Sequence, residues 1–396
     1  MFMSDPIVFV LLFAALAIGF SLGRLSRGPG RLPQQQSSSW LKRNYYVGLN
    51  QLLNDEPDAA VDTFISSLEV NSETLETHLA LGALLRRRGE TARAIRVHQN
   101  LLARPSLPRP QLQLAQLELG VDFLKAGLLD RAETLFKELA DAKYTEKKVR
   151  EKALIYLVEL YRETSDWLDA IDAADRLTSR KFSSTADNWR EMQAHFSCEL
   201  AEKALANNQV LEARRLLRNA LRFDKQCARA QLMQAQIELN DGAAAAALGI
   251  LKKLPYQSPQ VISEALPLMR ECYTALKSDR DYLQLLNDIH LAQPSLMLLW
   301  HLTCATEKLN GPEDACRVLY EGIAQYPEMV AVQTLLTLCT AQPASEQIPY
   351  EKLKPAITQI LDNYFFYICS TCGFTAQANH WLCPSCRSWG KMGMAE

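Results

Sequence analysis

The sequence predicts an all-α protein built from an apolar N-terminal helix, a long solenoid of paired helices and a small C-terminal metal-binding knuckle. Three observations support this: a sixteen-residue segment without charge near the N-terminus, an amphipathic pattern that recurs about every 34 residues, and two closely spaced cysteine pairs near the C-terminus. At 396 residues the chain is too long for one compact core, so several units or a repeat array are expected. The net charge of -2 provides no general attraction to nucleic acid.

The N-terminal segment is predicted to be a transmembrane anchor spanning residues 1–23. Residues 7–22 read IVFVLLFAALAIGFSL, and a helix of this length rises about 24 Å, close to the ~30 Å hydrocarbon core of a bilayer. A cleaved signal peptide is the alternative. It would need positive charge before the apolar run and small residues at a cleavage site, and neither is present.

Charge asymmetry predicts the orientation of this anchor. Five basic residues and no acidic residue lie within 24–43: Arg24, Arg27, Arg31, Lys42 and Arg43. Because positive charge stays on the cytoplasmic side, the body of the chain is expected in the cytoplasm and the N-terminus outside. Residues 24–39, rich in Gly, Pro, Gln and Ser, are predicted to be a flexible basic linker.

Residues 40–341 are predicted to form seven to eight helix-pair repeats. Gly48 and Gly82 are 34 residues apart, and a small or β-branched residue recurs twelve positions before an alanine. These pairs are Gly48–Ala60, Gly82–Ala94, Gly120–Ala132, Val158–Ala170, Ala201–Ala213, Ala235–Ala247 and Thr303–Ala315. Four positions after each alanine come Phe64, His98, Phe136, Ala174, Leu217, Leu251 and Leu319. This is the tetratricopeptide pattern.

Close packing explains the pattern. The small residue on the first helix and the alanine on the second allow two antiparallel helices to approach, and the larger residue is expected to fill the groove toward the next repeat. One degenerate unit is expected near 266–290. Such arrays stack into a solenoid with an extended concave face, on which a partner protein is the expected ligand.

The C-terminal cysteines are the candidate metal site. Residues 369–386 read CSTCGFTAQANHWLCPSC, and the candidate ligands are Cys369, Cys372, Cys383 and Cys386. Two C-x2-C turns supply four sulfurs for a tetrahedral site, and Gly373 allows the positive φ of such a turn. His380 is a substitute ligand, and two disulfides are the alternative. Residues 342–367 are predicted as a connecting helix and strand, with strand at 364–368, and 368–396 as the metal-binding domain.

Ligand chemistry favours zinc, although four thiolates also suit iron. Bound iron would allow an electron carrier. Residues 369–396 contain only Arg387 and Lys391 as basic residues, too few for nucleic-acid binding.

Phe374, Trp381 and Trp389 are expected to pack around the knuckles or against the last repeats. The six other cysteines are expected in the helical core, and no catalytic motif is found, so the chain is not predicted to be an enzyme.

Four stretches carry a resemblance to a known family: NYYVGLNQLLNDEPDAAVDTF at 44–64, HLALGALLRRRGETARAIRVHQ at 78–99, AGLLDRAETLF at 126–136 and CGFTAQANHWLCPSCRSW at 372–389. Combined with the N-terminal anchor, they make the chain similar to the lipopolysaccharide assembly protein B family of Gram-negative bacteria. The resemblance extends over essentially the whole sequence.

The resemblance implies a single-pass protein of the bacterial inner membrane, with a periplasmic N-terminus and most of the chain in the cytoplasm. It implies a non-catalytic scaffold that promotes degradation of the lipid A deacetylase LpxC by the membrane protease FtsH, and that coordinates other lipopolysaccharide synthesis proteins. It also implies that the four cysteines bind iron in a rubredoxin-like domain. A rubredoxin-like electron-transfer protein on a repeat scaffold is the alternative function. Self-association is left open.

Two features depart from rubredoxins. Arg387 follows the last cysteine, where rubredoxins often have glycine, and the ten residues between the two cysteine pairs form a short interval. Both departures argue against a redox function more than against metal binding.

Overall fold

The computed structural model describes isolated positions before residue 74 and then residues 74–103, 107–178, 186–326, 329–340, 349–364 and 366–395. The predicted membrane span and basic linker lie outside the described residues, apart from Ala17, and so does most of the first predicted repeat, including Phe64. Within the part of the chain that is described, no helix combines the length and apolar character needed to cross a bilayer.

The described chain is predominantly helical, as predicted, and many consecutive helices pack against each other. The helices are α1 (Leu75–Arg87), α2 (Thr91–Leu102), α3 (Arg109–Lys125), α4 (Leu129–Asp141), α5 (Lys147–Thr164), α6 (Trp167–Thr178), α7 (Ala186–Ala206), α8 (Val210–Phe223), α9 (Ala228–Asn240), α10 (Ala244–Leu251), α11 (Leu254–Gln257), α12 (Ile262–Ala275), α13 (Asp279–Ala292), α14 (Leu296–Asn310), α15 (Pro312–Ile323), α16 (Val330–Thr340) and α17 (Tyr350–Tyr364). A 3-10 turn, Pro259–Val261, precedes α12. The unit with a degenerate sequence is an ordinary helix pair, α12 and α13.

The chain forms two compact units, Met1–Arg150 and Glu151–Glu396, and the boundary falls within α5. In the first unit, the glycines of the repeat pattern lie directly under a large side chain. A Cβ atom on Gly120 would lie 2.5 Å from the ring of Phe136, and one on Gly82 would lie 2.3 Å from His98. Both large side chains are fully buried. Glycine is therefore required at these two positions because the two helices of one repeat approach so closely.

The large residues also pack within their own repeat. Phe136 and His98 fill the space above the glycine of their own repeat instead of only facing the next one. His98 does both, because its Nδ1 also bonds the buried Asp122 carboxylate on α3. Arg86 pairs with the same carboxylate at 2.6 Å and with Glu118 at 2.7 Å, so the charge is compensated.

In the second unit, the alanine positions of the pattern are in the core. Ala170, Ala213, Ala247 and Ala315 are all fully buried, as are the residues four positions after them, Ala174, Leu217, Leu251 and Leu319. Of the cysteines predicted to be core residues, Cys198, Cys227, Cys272 and Cys316 are buried, and Cys304 is half-buried. These positions are apolar packing sites, as the helical period predicted.

The C-terminal element is a small three-stranded antiparallel sheet. Its strands are β1 (Tyr367–Cys369), β2 (Thr375–Ala376) and β3 (Met392–Met394), in the order β2-β1-β3. The strand predicted at 364–368 begins later, because Tyr364 is the last residue of α17. We refer to residues 367–395 as the ribbon.

The glycine packing makes a testable prediction. Alanine is normally better than glycine in a helix by about 1 kcal/mol. At Gly120 the added methyl would overpack the buried Phe136 ring, so Gly120→Ala should destabilise α3 and α4 by roughly 1–3 kcal/mol. Gly249→Ala is the matched control, because a Cβ there meets nothing within 4 Å, and it should stabilise its helix. Local hydrogen exchange measures both effects. Slower exchange in α3 of Gly120→Ala would contradict the packing argument.

Candidate metal centre

The first knuckle is a turn that joins β1 to β2. The Gly373 N–H donates to the Cys369 carbonyl at 2.9 Å, and the Cys369 N–H donates to the Phe374 carbonyl at 2.8 Å. Gly373 has a φ of 75°, the left-handed conformation that the sequence predicted for it. These bonds place Cys369 and Cys372 on the same turn, with both sulfurs near the centre of the ribbon.

The second knuckle repeats the same bonding. The Arg387 N–H donates to the Cys383 carbonyl at 2.9 Å, and the Cys383 N–H donates to the Ser388 carbonyl at 3.0 Å. Arg387 therefore occupies the position that Gly373 has in the first knuckle, and its φ is 56°. A left-handed non-glycine residue costs roughly 1–2 kcal/mol, which the surrounding bonds must offset. The departure from glycine changes the side chain and leaves the turn intact.

The four predicted cysteines are brought together. Their sulfurs all lie within 4.8 Å of one another, and the Cys369–Cys386 and Cys372–Cys383 sulfur pairs are each 3.7 Å apart. A tetrahedral ion with metal–sulfur bonds of about 2.3 Å requires sulfurs roughly 3.8 Å apart. The donor set therefore fits one tetrahedral thiolate-bound ion, and zinc and iron both accept it. His380 is exposed and lies outside this cluster.

The thiols differ in acidity. Hydrogen bonds from the side chain and backbone of Ser388 lower the pKa of Cys386 to about 6. Burial raises the pKa of Cys383 to about 11. Burial also acts on Cys369, but backbone hydrogen bonds from Thr371 and Cys372 leave its pKa lowered. A bound cation favours the thiolate form of every ligand, so metal binding here releases protons and weakens as the pH falls.

The ribbon has a very small core of its own. Its own buried cluster consists of Cys369, Cys383 and Met392, and Tyr367 and Phe374 pack against them. About thirty residues cannot bury enough apolar surface to fold independently, so additional stabilisation is needed. A metal crosslink is one source, and contact with the helices is the other.

Trp389 makes the main contact with the helices. Its ring stacks on His195 with centroids 5.1 Å apart and meets Phe196 edge-on at 5.9 Å, both on α7. Trp167, the first residue of α6, meets it edge-on at 6.1 Å. The sequence favoured the knuckles or the last repeats as partners of Trp381 and Trp389. The structure instead places both rings against helices in the middle of the array, where such aromatic pairs add to the apolar burial.

Arg229 connects the same two rings to α7. Its guanidinium lies 5.9 Å from the ring centroids of both Trp381 and Trp389. It is almost fully buried and pairs with Glu199 and Glu202, each at 2.7 Å. A buried guanidinium requires such pairing, and the cation–π contacts add to it because the site is desolvated.

Polar contacts surround this aromatic contact. The Tyr367 hydroxyl donates to Glu264 on α12 at 2.6 Å, and Arg387 pairs with Glu163 on α5 at 3.2 Å. Lys391 lies 4.0 Å from Glu191 on α7. The last two pairs are half-exposed and contribute little free energy, but they fix the orientation of the ribbon.

Sequence reasoning did not identify the helical half of this contact. His195 has no metal-ligand spacing in the sequence, and in the structure its ring packs against a tryptophan of the ribbon. Arg229 and Trp167 were not singled out. The sequence feature that could have indicated Arg229 is its position at the start of α9, between alanines, where a buried residue is expected. Pairing between such distant positions has no local pattern.

Comparisons with known proteins match both parts of the chain. The family model described as a rubredoxin metal binding domain matches residues 367–393, and one described as a tetratricopeptide repeat matches 198–262. Lipopolysaccharide assembly protein B of Escherichia coli (strain K12) is 34% identical over 385 residues, which cover 97% of this chain and 96% of that protein. The protein of the same name from Haemophilus influenzae is 30% identical over 402 residues, with coverages of 97% and 96%.

A solved structure also resembles the chain. A tetratricopeptide repeat protein from Parabacteroides merdae is 13% identical, covers 67% of this chain and 100% of its own, and has a TM-score of 0.33.

The sulfur geometry predicts the effect of removing one ligand. Cys369→Ser or Cys383→Ser should lose the metal ion and loosen the ribbon, because three thiolates hold the ion less tightly and the crosslink stabilises the fold. Elemental analysis of the purified chain measures the metal content, and tryptophan fluorescence reports the Trp389 contact. Cys304→Ser, in α14, is the control and should keep the ion. An undiminished metal content in either ligand variant would show that the ligand assignment is wrong.

The contact also makes a pH prediction. Burial, together with the charges of Arg229 and Lys391, lowers the pKa of His195 to about 3. In the unfolded chain this imidazole takes up a proton near pH 6.5, so the unfolded state binds the additional proton. The contribution of His195 to the free energy of unfolding is therefore fully present above about pH 6.5. It is lost as the pH falls toward 3, by up to about 1.4 kcal/mol per pH unit.

Histidine NMR measures this directly. The His195 signal, assigned by its loss in His195→Gln, should not titrate between pH 8 and 5. A midpoint near 6.5 would mean that the ring is solvated and does not pack against Trp389 as described.

Proposed function

We propose, since this chain belongs to the lipopolysaccharide assembly protein B family, that it is a non-catalytic scaffold in lipopolysaccharide biosynthesis. The observation that carries the proposal is the 34% identity over 97% of this chain and 96% of the relative. A repeat array alone would be a weak indication, because such arrays serve many functions. Here the similarity extends through the helices and the four-cysteine ribbon together.

The structure supports a binding role for the helices. Within each unit, the described helices expose one face and bury the other, so each unit offers an exposed helical surface on which a partner protein can be held. The four thiolates complete a tetrahedral shell around the ion, so the metal, when bound, acts as a crosslink. The ribbon then lies against α7 and α9 and restricts how these helices can move relative to each other.

The finer part of the proposal concerns partners. In this scheme the chain presents the lipid A deacetylase LpxC to the membrane protease FtsH, and so limits how much precursor is committed to lipid A. It also gathers other lipopolysaccharide synthesis proteins. Support for these partners comes from family membership. Binding energy alone accomplishes this task, because an adaptor raises the effective concentration of one protein near another.

The membrane anchor is also part of the proposal. Residues 7–22 are apolar and uncharged, and basic residues follow them, so the segment is proposed to span the inner membrane with the array in the cytoplasm. Anchoring confines the scaffold to the surface where its membrane-bound partners work. A reduction from three dimensions to two raises their encounter rate without any new contact.

In-membrane crosslinking followed by identification of partners tests the proposed function. A photo-crosslinker at an exposed position of the array should recover FtsH, LpxC or other lipopolysaccharide synthesis proteins. The control is the same chain without a crosslinker, which should recover none of them. Recovery of none of these proteins from any array position would refute the adaptor role.

Deletion of residues 1–23 tests the anchor. The truncated chain should be soluble and folded, since the described helices lie outside this segment, but LpxC should accumulate in cells as if the scaffold were absent. Quantitative immunoblotting of LpxC and of the membrane fraction measures both effects. Replacement of residues 1–23 by an unrelated single-pass anchor should restore regulation. Full regulation by the soluble form would contradict the anchoring argument.

A further inference from the structure

A second polar site lies on the array, and none of its lining residues belongs to the ribbon. A cavity of about 120 Å³ opens between α12, α13 and α14. Its polar lining comes from Arg270 on α12, Asp279 and Tyr282 on α13, and His301 and Lys308 on α14. Two repeats contribute to it, because α12 and α13 form one helix pair and α14 begins the next. We call it the Arg270 pocket.

The pocket has one uncompensated positive charge. Lys308 pairs with Asp279 at 2.9 Å, so these two charges balance. Burial, with the nearby charge of Arg270, lowers the pKa of His301 to about 4, so this imidazole is neutral at physiological pH. The guanidinium of Arg270 is exposed and makes no ion pair with any residue in the described part of the chain. It is therefore the group that an anion would meet.

Tyr282 lines the pocket and carries a buried hydroxyl. Its side chain is 4% exposed, and its hydroxyl has no hydrogen-bond partner among the described residues. The ring packs against Tyr273 with centroids 5.5 Å apart, which holds the hydroxyl in place. Burial raises the pKa of Tyr282, so the hydroxyl keeps its proton. A buried hydroxyl without a partner is uncommon, because burial is unfavourable unless a ligand or water accepts its hydrogen.

We propose that the Arg270 pocket binds one carboxylate group from an acidic segment of a partner polypeptide. The guanidinium presents the paired N–H donors that fit a carboxylate, and Tyr282, whose buried hydroxyl lacks a partner, belongs to the same lining. One surplus positive charge matches a monoanion. A phosphate dianion would leave a negative charge beside the Asp279 carboxylate, which lines the same cavity.

Size points to a polypeptide side chain. The cavity holds about four water volumes at roughly 30 Å³ each, which is enough for a carboxylate and the carbons next to it. The remainder of the ligand must lie outside, along the exposed surface around Arg270. A glutamate or aspartate side chain on a longer chain meets this condition. The inference takes from the proposed function only that the ligand is a protein, and carboxylate binding can be tested without it.

The test uses the full-length protein in detergent, labelled with ¹³C at the tyrosine ring carbon that bears the hydroxyl. The probes are two short blocked peptides that differ only in one residue, glutamate or glutamine, and inorganic phosphate. The Tyr282 signal is assigned by its loss in Tyr282→Phe. We expect the glutamate peptide to shift this signal saturably and the glutamine peptide to leave it unchanged. Arg270→Gln should weaken binding about tenfold or more.

Arg280→Gln is the matched control, because Arg280 is also exposed but lies outside the lining of the pocket. It should bind the glutamate peptide like the unaltered chain. The inference is overturned if the two peptides shift the signal equally, if Arg270→Gln binds as well as Arg280→Gln, if phosphate binds more tightly than the glutamate peptide, or if no probe saturates. Any of these results leaves the crosslinking test of the scaffold role unaffected, so the two failures can be told apart.

Discussion

The packing of Trp389 against α7 is the interaction on which the position of the ribbon depends. The ribbon buries too few of its own residues to be stable alone, and its two sources of support are the four sulfurs and this contact. The indole lies between His195, Phe196 and Trp167, with the Arg229 guanidinium near its ring, so a single side chain meets an imidazole, two aromatic rings and a cation. This burial, together with the positive charge of Arg229, lowers the pKa of His195, so the imidazole stays neutral.

A different constraint governs the helices. The glycine at the centre of a repeat matters because a ring lies where its side chain would be, as at Gly120 beneath Phe136. At Gly82 the same place is taken by His98, whose Nδ1 also hydrogen-bonds the buried Asp122 carboxylate. A polar residue can thus replace the usual aromatic side chain when the neighbouring repeat supplies a partner for it.

Local features of the sequence predicted more than distant ones. The spacing of Cys369, Cys372, Cys383 and Cys386 predicted a shared site because each pair is fixed by one turn, and the structure brings their sulfurs together. The helical period predicted which alanines are buried, although it did not predict that Phe136 packs over Gly120 of its own repeat. The contact between Trp389 and His195 joins positions almost two hundred residues apart, and no periodic pattern connects them. The orphan hydroxyl of Tyr282 is likewise visible only once three helices are in place.

Metal binding and packing of the ribbon are thermodynamically linked. The ion can bind tightly only where the four thiolates are already held together, and they are held by knuckles whose flanking residues, Trp389 and Lys391, also contact α7. If the Trp389 contact strengthens metal binding by a given free energy, metal binding strengthens the contact by the same amount, because the coupling is reciprocal. A bound ion can therefore affect the helices that the ribbon contacts. Because the metal binds only the folded ribbon, its binding free energy stabilises the ribbon and, through the Trp389 contact, the neighbouring helices.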